Sequence, residues 1–182
     1  MSRAGQILVS HPMLTAADPF NQTVIYIFQD TPEGTQGLVL NRPMNMRMGD
    51  VAHQNGINWN CANHLYAGGP VNKSGLYMLH SDEWATSNSM KLPKHLCLSS
   101  DKVMLERLAH GDTPAYWRCF VGTAAWVPGQ LERELLAKYP YTTQHSWLTL
   151  ESTDAILFEY DLKEQWEKAV ALSSQQMFNQ YF

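Results

Sequence analysis

An apolar run is joined to an acidic, leucine-spaced run through a tight corner, Trp126-Val127-Pro128-Gly129-Gln130, and few folds need so sharp a passage from strand to helix. The run from Ala115 to Ala125 alternates aromatics with Val and becomes nearly continuous in apolar residues toward its end. That pattern predicts a central strand. After the corner, Leu131, Leu135 and Tyr139 recur at a spacing of four, the repeat of one helix face. Glu132 and Glu134 fall in the first turns, where the helix macrodipole favours negative charge, and Pro140 stops the run.

The rest of the chain divides in the same way. Gln6 to Ser10, Thr23 to Gln29 and Gly37 to Asn41 are rich in Val, Ile, Tyr or Phe and bounded by turn formers, which predicts strands. The last two form a hairpin across Asp30 to Gln36, where Pro32 and Gly34 supply the turn. Met48 to Asn55 reads as a short helix closed by Gly56. His64 to Gly68 and Leu76 to His80 read as strands separated by a turn over 69–75, and Leu96 to Leu98 as a further strand.

Ser100 or Asp101 caps a helix whose Met104, Leu105 and Leu108 share a face, ended by Gly111. His145 to Leu150 is a strand and Asp154 to Phe158 a helical turn or short helix. The final helix opens on Asp161-Leu162-Lys163-Glu164, with Trp166, Val170, Ser173 and Met177 along one face. Strands and helices do not alternate as in a doubly wound fold. The expected architecture over residues 1–182 is one α+β domain with a mixed, mostly antiparallel sheet and flanking helices.

Composition narrows the function. In 182 residues the hydrophobic share is 45% and the charged share 16%, enough apolar surface for a core without metal or disulfide staples. No apolar run reaches the about 18 residues that span a bilayer, and the N-terminal apolar stretch is too short for a secretion signal. Cys61, Cys97 and Cys119 are odd in number and widely spaced, as reduced thiols of a cytosolic protein are. The net charge of −4 is opposite to the basic footprint of nucleic-acid binding.

Motifs for chemistry fail on inspection. Gly69-Pro70-Val71-Asn72-Lys73-Ser74 ends like a phosphate-binding loop, but that loop needs Gly at the positions held by Ala67 and Asn72. Ser74 lacks the flanking glycines of a nucleophile elbow. His80-Ser81-Asp82 holds the residue types of a triad, yet sequence neighbours point to different faces of a strand. The seven histidines show no metal spacing, and no cofactor or metal site is expected. Trp126 is either clamped under its turn or displayed as a contact residue.

Several stretches together carry a resemblance. They are His11-Pro12-Met13-Leu14 with Asp18 to Val24, Gly37-Leu38-Val39-Leu40-Asn41-Arg42-Pro43, Tyr66-Ala67-Gly68-Gly69-Pro70-Val71, the Trp126 corner, and Asp154 to Phe158 with Trp166. In this order they resemble the bacterial YqgE/AlgH family over nearly the whole chain. The chain departs from that pattern at Ala125, where Gly is favoured, and at Ser173-Ser174-Gln175-Gln176. The resemblance implies an α+β fold with a mixed sheet curled toward a barrel, a cytosolic location and, for some members, a link to transcriptional control.

The function expected is that of a non-enzymatic cytosolic binding or regulatory protein, its partner a protein or a small anionic ligand. The candidate surface gathers Asn41, Arg42, Gly68, Gly69, Trp126, Gln130 and Glu132. Beside Pro43, Arg42 either presents a guanidinium to a carboxylate or phosphate, or forms a salt bridge with Glu132 that ties two loops. The rival is a small hydrolase acting on an anionic substrate through His80 or His11 with a carboxylate; direct DNA binding conflicts with the acidic charge.

Overall fold

The computed structural model describes residues 2–136, 147–160 and 162–181. In chain order the elements are β1 (Gln6–Ser10), β2 (Val24–Thr31), β3 (Gly34–Val39), β4 (Pro43–Arg47), α1 (Met48–Gln54), β5 (His64–Ala67) and β6 (Val71–Ser81). There follow β7 (Met90–Leu92), β8 (Leu96–Ser99), α2 (Lys102–Ala109), β9 (Trp117–Trp126), α3 (Gln130–Leu135) and β10 (Trp147–Glu151). A π-helical turn (Ala155–Glu159) and α4 (Leu162–Tyr181) end the chain. The class is α+β, and the expected ends at Tyr139 and Pro140, the start at His145 and the cap at Asp161 lie outside the described residues.

Two compact units are formed, Met1–Asn41 with Ala124–Phe182, and Arg42–Thr123. In the first, the strand order is β10-β1-β2-β3 and then the end of β9, all antiparallel. The β2–β3 hairpin is tighter than its composition suggests. Thr31 pairs with Gly34, so only Pro32 and Glu33 form the corner and both strands run further into the supposed loop. Leu8, Ile25, Ile27, Val39, Ala124, Trp126, Leu131 and Trp147 form this unit's buried cluster.

The six residues of α3 are too few to hold a helix by propensity. Its anchor is Leu131, fully buried, a burial that contributes roughly 1.5–3 kcal/mol. Along α4 the buried row is Gln165, Ala169 and Ser173, while Met177 is 51% exposed. The inward face is therefore turned by one residue from the expected Trp166, Val170, Ser173 and Met177 row. Polar members of the row find partners: Gln165 Nε2 donates to the Ile156 carbonyl at 2.6 Å and Ser173 Oγ to the Val170 carbonyl at 2.8 Å. Trp166 instead sits half-buried at the border, its indole N–H donating to the Ser10 carbonyl at 2.9 Å.

In the second unit the order is β4-β5-β9-β6-β8-β7, antiparallel except for the parallel pair β5 and β9. Met48, Leu65, Met78, Trp84, Met104, Leu105, Leu108 and Cys119 fill its core. Asp101 caps α2 by accepting from Met104 N at 2.7 Å, and the three apolar residues predicted for its inner face are buried.

Strand β4, for which the sequence predicts no element, and the first part of β6, which has the composition of a turn, are both interrupted by bulges. On β6, Val71 pairs with Thr123 and Leu76 with Val121, so Asn72, Lys73, Ser74 and Gly75 stand opposite the single residue Gly122. On β4, Pro43 pairs with Tyr66 and Arg47 with His64, so Met44, Asn45 and Met46 stand opposite Leu65. Extra residues of this kind leave the ladder and re-aim side chains.

Candidate functional site

In the second unit both bulges open on one recess, with a volume of about 580 Å³. Met44 and Met46 from β4, Val51 from α1, Leu76 from β6, Leu105 from α2 and Val121 from β9 give it an apolar floor. Its rim is polar: Lys73, Ser74 and Gly75 come from the β6 bulge, Ser100, Asp101 and Lys102 from the start of α2, and Gln54 and Asn55 from the end of α1. The floor methionines are half-buried, and unbranched thioethers adapt their shape to what they touch.

The wall is held in place by backbone that only certain residues adopt. Asn72, at φ 51°, takes the left-handed conformation that lets the bulge leave the strand. Opposite it Gly122 has φ 77°, and a Cβ there would lie 2.5 Å from the Gly69 carbonyl oxygen. Gly68 and Gly69 therefore have a structural task. Gly68 N donates to the Val121 carbonyl at 2.8 Å, and the Gly69 carbonyl packs where no side chain is present.

Two cations, Lys73 and Lys102, against one acid, Asp101, leave the lining a net +1 on a chain of net charge −4. Both carboxylate oxygens of Asp101 already accept protein hydrogen bonds, Oδ1 from Met104 N and Oδ2 from Thr86 Oγ1, each at 2.7 Å. Lys102 lies 3.9 Å from Glu106, an exposed i,i+4 pair that solvent screens. The recess thus combines an apolar floor with a positive rim.

From Asp101 a chain of hydroxyls leads inward. Ser89 Oγ accepts from Thr86 N at 2.8 Å and lies 2.6 Å from Ser99 Oγ, which lies 2.7 Å from His80 Nε2. His80 Nδ1 is 2.9 Å from the Ser81 carbonyl, which only accepts, so Nδ1 carries the proton and neutral Nε2 accepts from Ser99. Burial lowers the His80 pKa from 6.5 against the raising effects of the Ser81 carbonyl and Glu83. His80 and Ser99 are both fully buried, so this serine–histidine couple is closed to solvent. Neither neighbour in the His80-Ser81-Asp82 run supplies the contact; Ser99 on the adjacent strand does. His11 Nδ1 accepts from Met13 N at 3.2 Å in an exposed turn.

The other residues of the sequence-derived surface are distributed over the two units. In the first, Asn41 Oδ1 accepts from Val24 N at 3.0 Å and Nδ2 donates to the Gln22 carbonyl at 2.8 Å, which fastens the ends of two strands. Trp126 is 4% exposed and donates to Glu134 Oε2, so its ring is clamped. Gln130 returns to the corner, accepting from Val127 N at 3.1 Å and donating to Glu134 Oε1 at 2.9 Å. Glu132 accepts from Arg3 Nη1 at 2.7 Å.

In the second unit the Arg42 carbonyl accepts from Ala67 N at 2.8 Å, next to Gly68, and its side chain is exposed. Glu134 differs from its expected role at a helix start. Helix electrostatics does not account for it: it is a buried acceptor of two indole N–H groups. By composition the wall of the recess reads as a turn, and the sequence signal for the recess is the alternation of Met44, Met46 and Met48 beside a proline.

Among the described residues no group of three or more metal-ligating side chains is close enough to hold an ion, and no helix is long and apolar enough to cross a membrane. A smaller recess of about 380 Å³ in the first unit lies between β10 and α4, floored by Leu150, Ile156 and Leu172 and edged by carboxamides such as Gln176 and Asn179.

The mostly antiparallel sheets with flanking helices define an α+β protein whose second unit carries a built recess. The sequence profile of the AlgH-like family matches residues 7–177, and the chain belongs to that family. A UPF0301 protein of Rhizobium meliloti is 30% identical over 178 residues, covering 92% of this chain and 85% of the relative. One from Xanthomonas campestris pv. campestris is 32% identical over 171 residues, covering 91% and 86%. Among solved structures, the AlgH protein of Pseudomonas aeruginosa is similar with a TM-score of 0.77 at 28% identity, covering 94% of this chain and 89% of that one. A protein of Corynebacterium diphtheriae shares the fold with a TM-score of 0.70 at 20% identity.

Proposed function

We propose that this protein is a cytosolic binding protein that works without catalysis, and that the recess of the second unit is its working site. One observation carries the reading: two independent strand bulges, on β4 and β6, supply walls to the same recess. Paired irregularities with a left-handed asparagine cost stability, and such costs gather where a surface is used. The volume falls within the about 300–1,000 Å³ usual for small-molecule sites. No histidine or cysteine is among its lining residues, while the one serine–histidine contact described is sealed inside. Any regulatory role then follows from occupancy of the recess, and the acidic net charge favours action through a ligand over direct DNA contact.

The test uses the full chain and an apolar anionic dye, 1-anilinonaphthalene-8-sulfonate. Wild type is expected to bind it saturably, and Val51→Trp, which fills the floor, to lose the binding while keeping a native far-ultraviolet spectrum. Chromogenic esters and phosphates are expected to show no turnover. Saturable turnover that Ser99→Ala abolishes would favour the hydrolase instead.

A further inference from the structure

We infer that the recess recognises a free amphiphile, a molecule with an apolar chain and a single carboxylate or phosphate head. The inference rests on the reading of the recess as the binding site and adds the class of its ligand. Six apolar side chains make the floor and cannot satisfy a polar ligand; they reward a chain of methylenes or a ring. The rim has the opposite chemistry. Lys73 is carried on the four-residue β6 bulge and Lys102 on the first turn of α2, so two cations from different elements line the same recess.

Asp101 offsets only one of the two cations, and its oxygens already accept from Met104 N and Thr86 Oγ1, so the rim keeps a net charge of +1. Ser74, Ser100, Gln54 and Asn55 add neutral donors, which also suit an oxyanion. A neutral ligand leaves both ammonium groups unused. A purely polar ligand leaves the floor unused. The amphipathic anion satisfies both surfaces, and its head stays at the rim, partly in water, so no charge is buried in the apolar floor.

Binding of decanoate, decanol and inorganic phosphate to the full chain, followed by calorimetry, tests this. Decanoate is expected to bind about tenfold or more tightly than decanol, and phosphate weakly. In the Lys73→Ala, Lys102→Ala double variant the advantage of decanoate is expected to vanish, with decanol binding unchanged, and in wild type to shrink as salt is raised. Equal binding of decanoate and decanol by wild type overturns the head-group inference and leaves the recess as the site. Binding that Val51→Trp does not weaken overturns the recess itself. Co-sedimentation with phosphatidylglycerol vesicles, lost in the double lysine variant, would replace the free amphiphile by a lipid surface and overturn the inference as stated. No binding of either ten-carbon ligand, with the dye still bound at the recess, also overturns it.

Discussion

Trp126 and Trp147 donate their indole N–H groups to the same oxygen, Oε2 of Glu134, at 3.0 and 2.8 Å. Their rings meet edge to face with centroids 6.2 Å apart, and Phe20 stands against Trp147 at 5.6 Å. A carboxylate that is 4% exposed thus ties β9, α3 and β10 together, with Gln130 Nε2 on its other oxygen. The corner between strand and helix turns around this acid. Gly129, at φ 73°, reverses the chain so that α3 can bring Glu134 back beneath Trp126.

Replacing Glu134 tests the arrangement. Glu134→Gln keeps one acceptor oxygen but sets an amide N–H₂ against a donor, and is expected to cost about 1–3 kcal/mol. Glu134→Leu leaves both indole N–H groups without their acceptor and is expected to cost more. Urea unfolding followed by tryptophan fluorescence reads both. A Leu variant as stable as wild type would refute the role given to this carboxylate.

Gly122 and Gly56 separate crowding from backbone strain. Both have positive φ, 77° and 74°, but a Cβ at Gly122 would meet the Gly69 carbonyl at 2.5 Å, whereas at Gly56 it would meet nothing within 4 Å. Gly56→Ala is expected to cost about 1 kcal/mol, the conformational penalty alone. Gly122→Ala is expected to cost at least about 3 kcal/mol, because backbone must move as well. Thermal unfolding of the two variants should differ by several degrees, and similar midpoints would contradict the close approach of Gly69 to β9.

Much of this was legible in the sequence. Runs of Val, Ile and Phe with turn formers at their ends predict β1 and β2, the expected Gly37 to Asn41 strand overlaps β3, Leu96 to Leu98 falls within β8, and of the two caps offered for α2 it is Asp101 that makes the local hydrogen bond. Strand β4 was not legible, since Pro43, Asn45 and Arg47 alternate with methionines in a pattern of no strong β propensity, and its pairing with β5 is decided by distant residues. The bulged part of β6 has the composition of a turn because, over four residues, it leaves the ladder. The rim of the recess is made from that departure, so the candidate site lies where local pattern and tertiary pairing disagree. Glu134 is hidden for a different reason: a glutamate near the start of a predicted helix has an adequate local explanation in the macrodipole, and no local pattern brings the indoles of Trp126 and Trp147 to one oxygen.

Acidification is expected to weaken the fold through His80. Its folded pKa lies below the unfolded value of 6.5 because burial disfavours the charged ring. Between those two values the unfolded chain binds the additional proton, so stability falls as pH drops below about 6.5 and is fully present above it. Protonated Nε2 would also face Ser99 as a donor, forcing the Ser99 and Ser89 hydroxyls to reverse. Urea midpoints measured between pH 7.5 and pH 5 should decline in wild type, with a shallower decline in His80→Gln. Identical slopes for the two proteins would remove His80 as the cause.

The thiols offer a reading of burial that does not depend on unfolding free energy. Cys97 and Cys119 are 2% and 1% exposed, and burial raises both thiol pKa values; Asp82 raises that of Cys97 further and Cys61 that of Cys119. A thiolate is the reacting species, so both should be slow toward a disulfide reagent for reasons of access and ionisation together. Cys61 is only half-buried. Native protein treated with 5,5′-dithiobis(2-nitrobenzoate) at pH 8 is therefore expected to release the colour of about one thiol rapidly, that of Cys61, and the remainder only in denaturant. A Cys61→Ser variant should lose the rapid phase. Equal rates for all the thiols would mean that the core of the second unit opens far more readily than the packing of Cys119 against Met78 and Leu65 in one buried cluster allows.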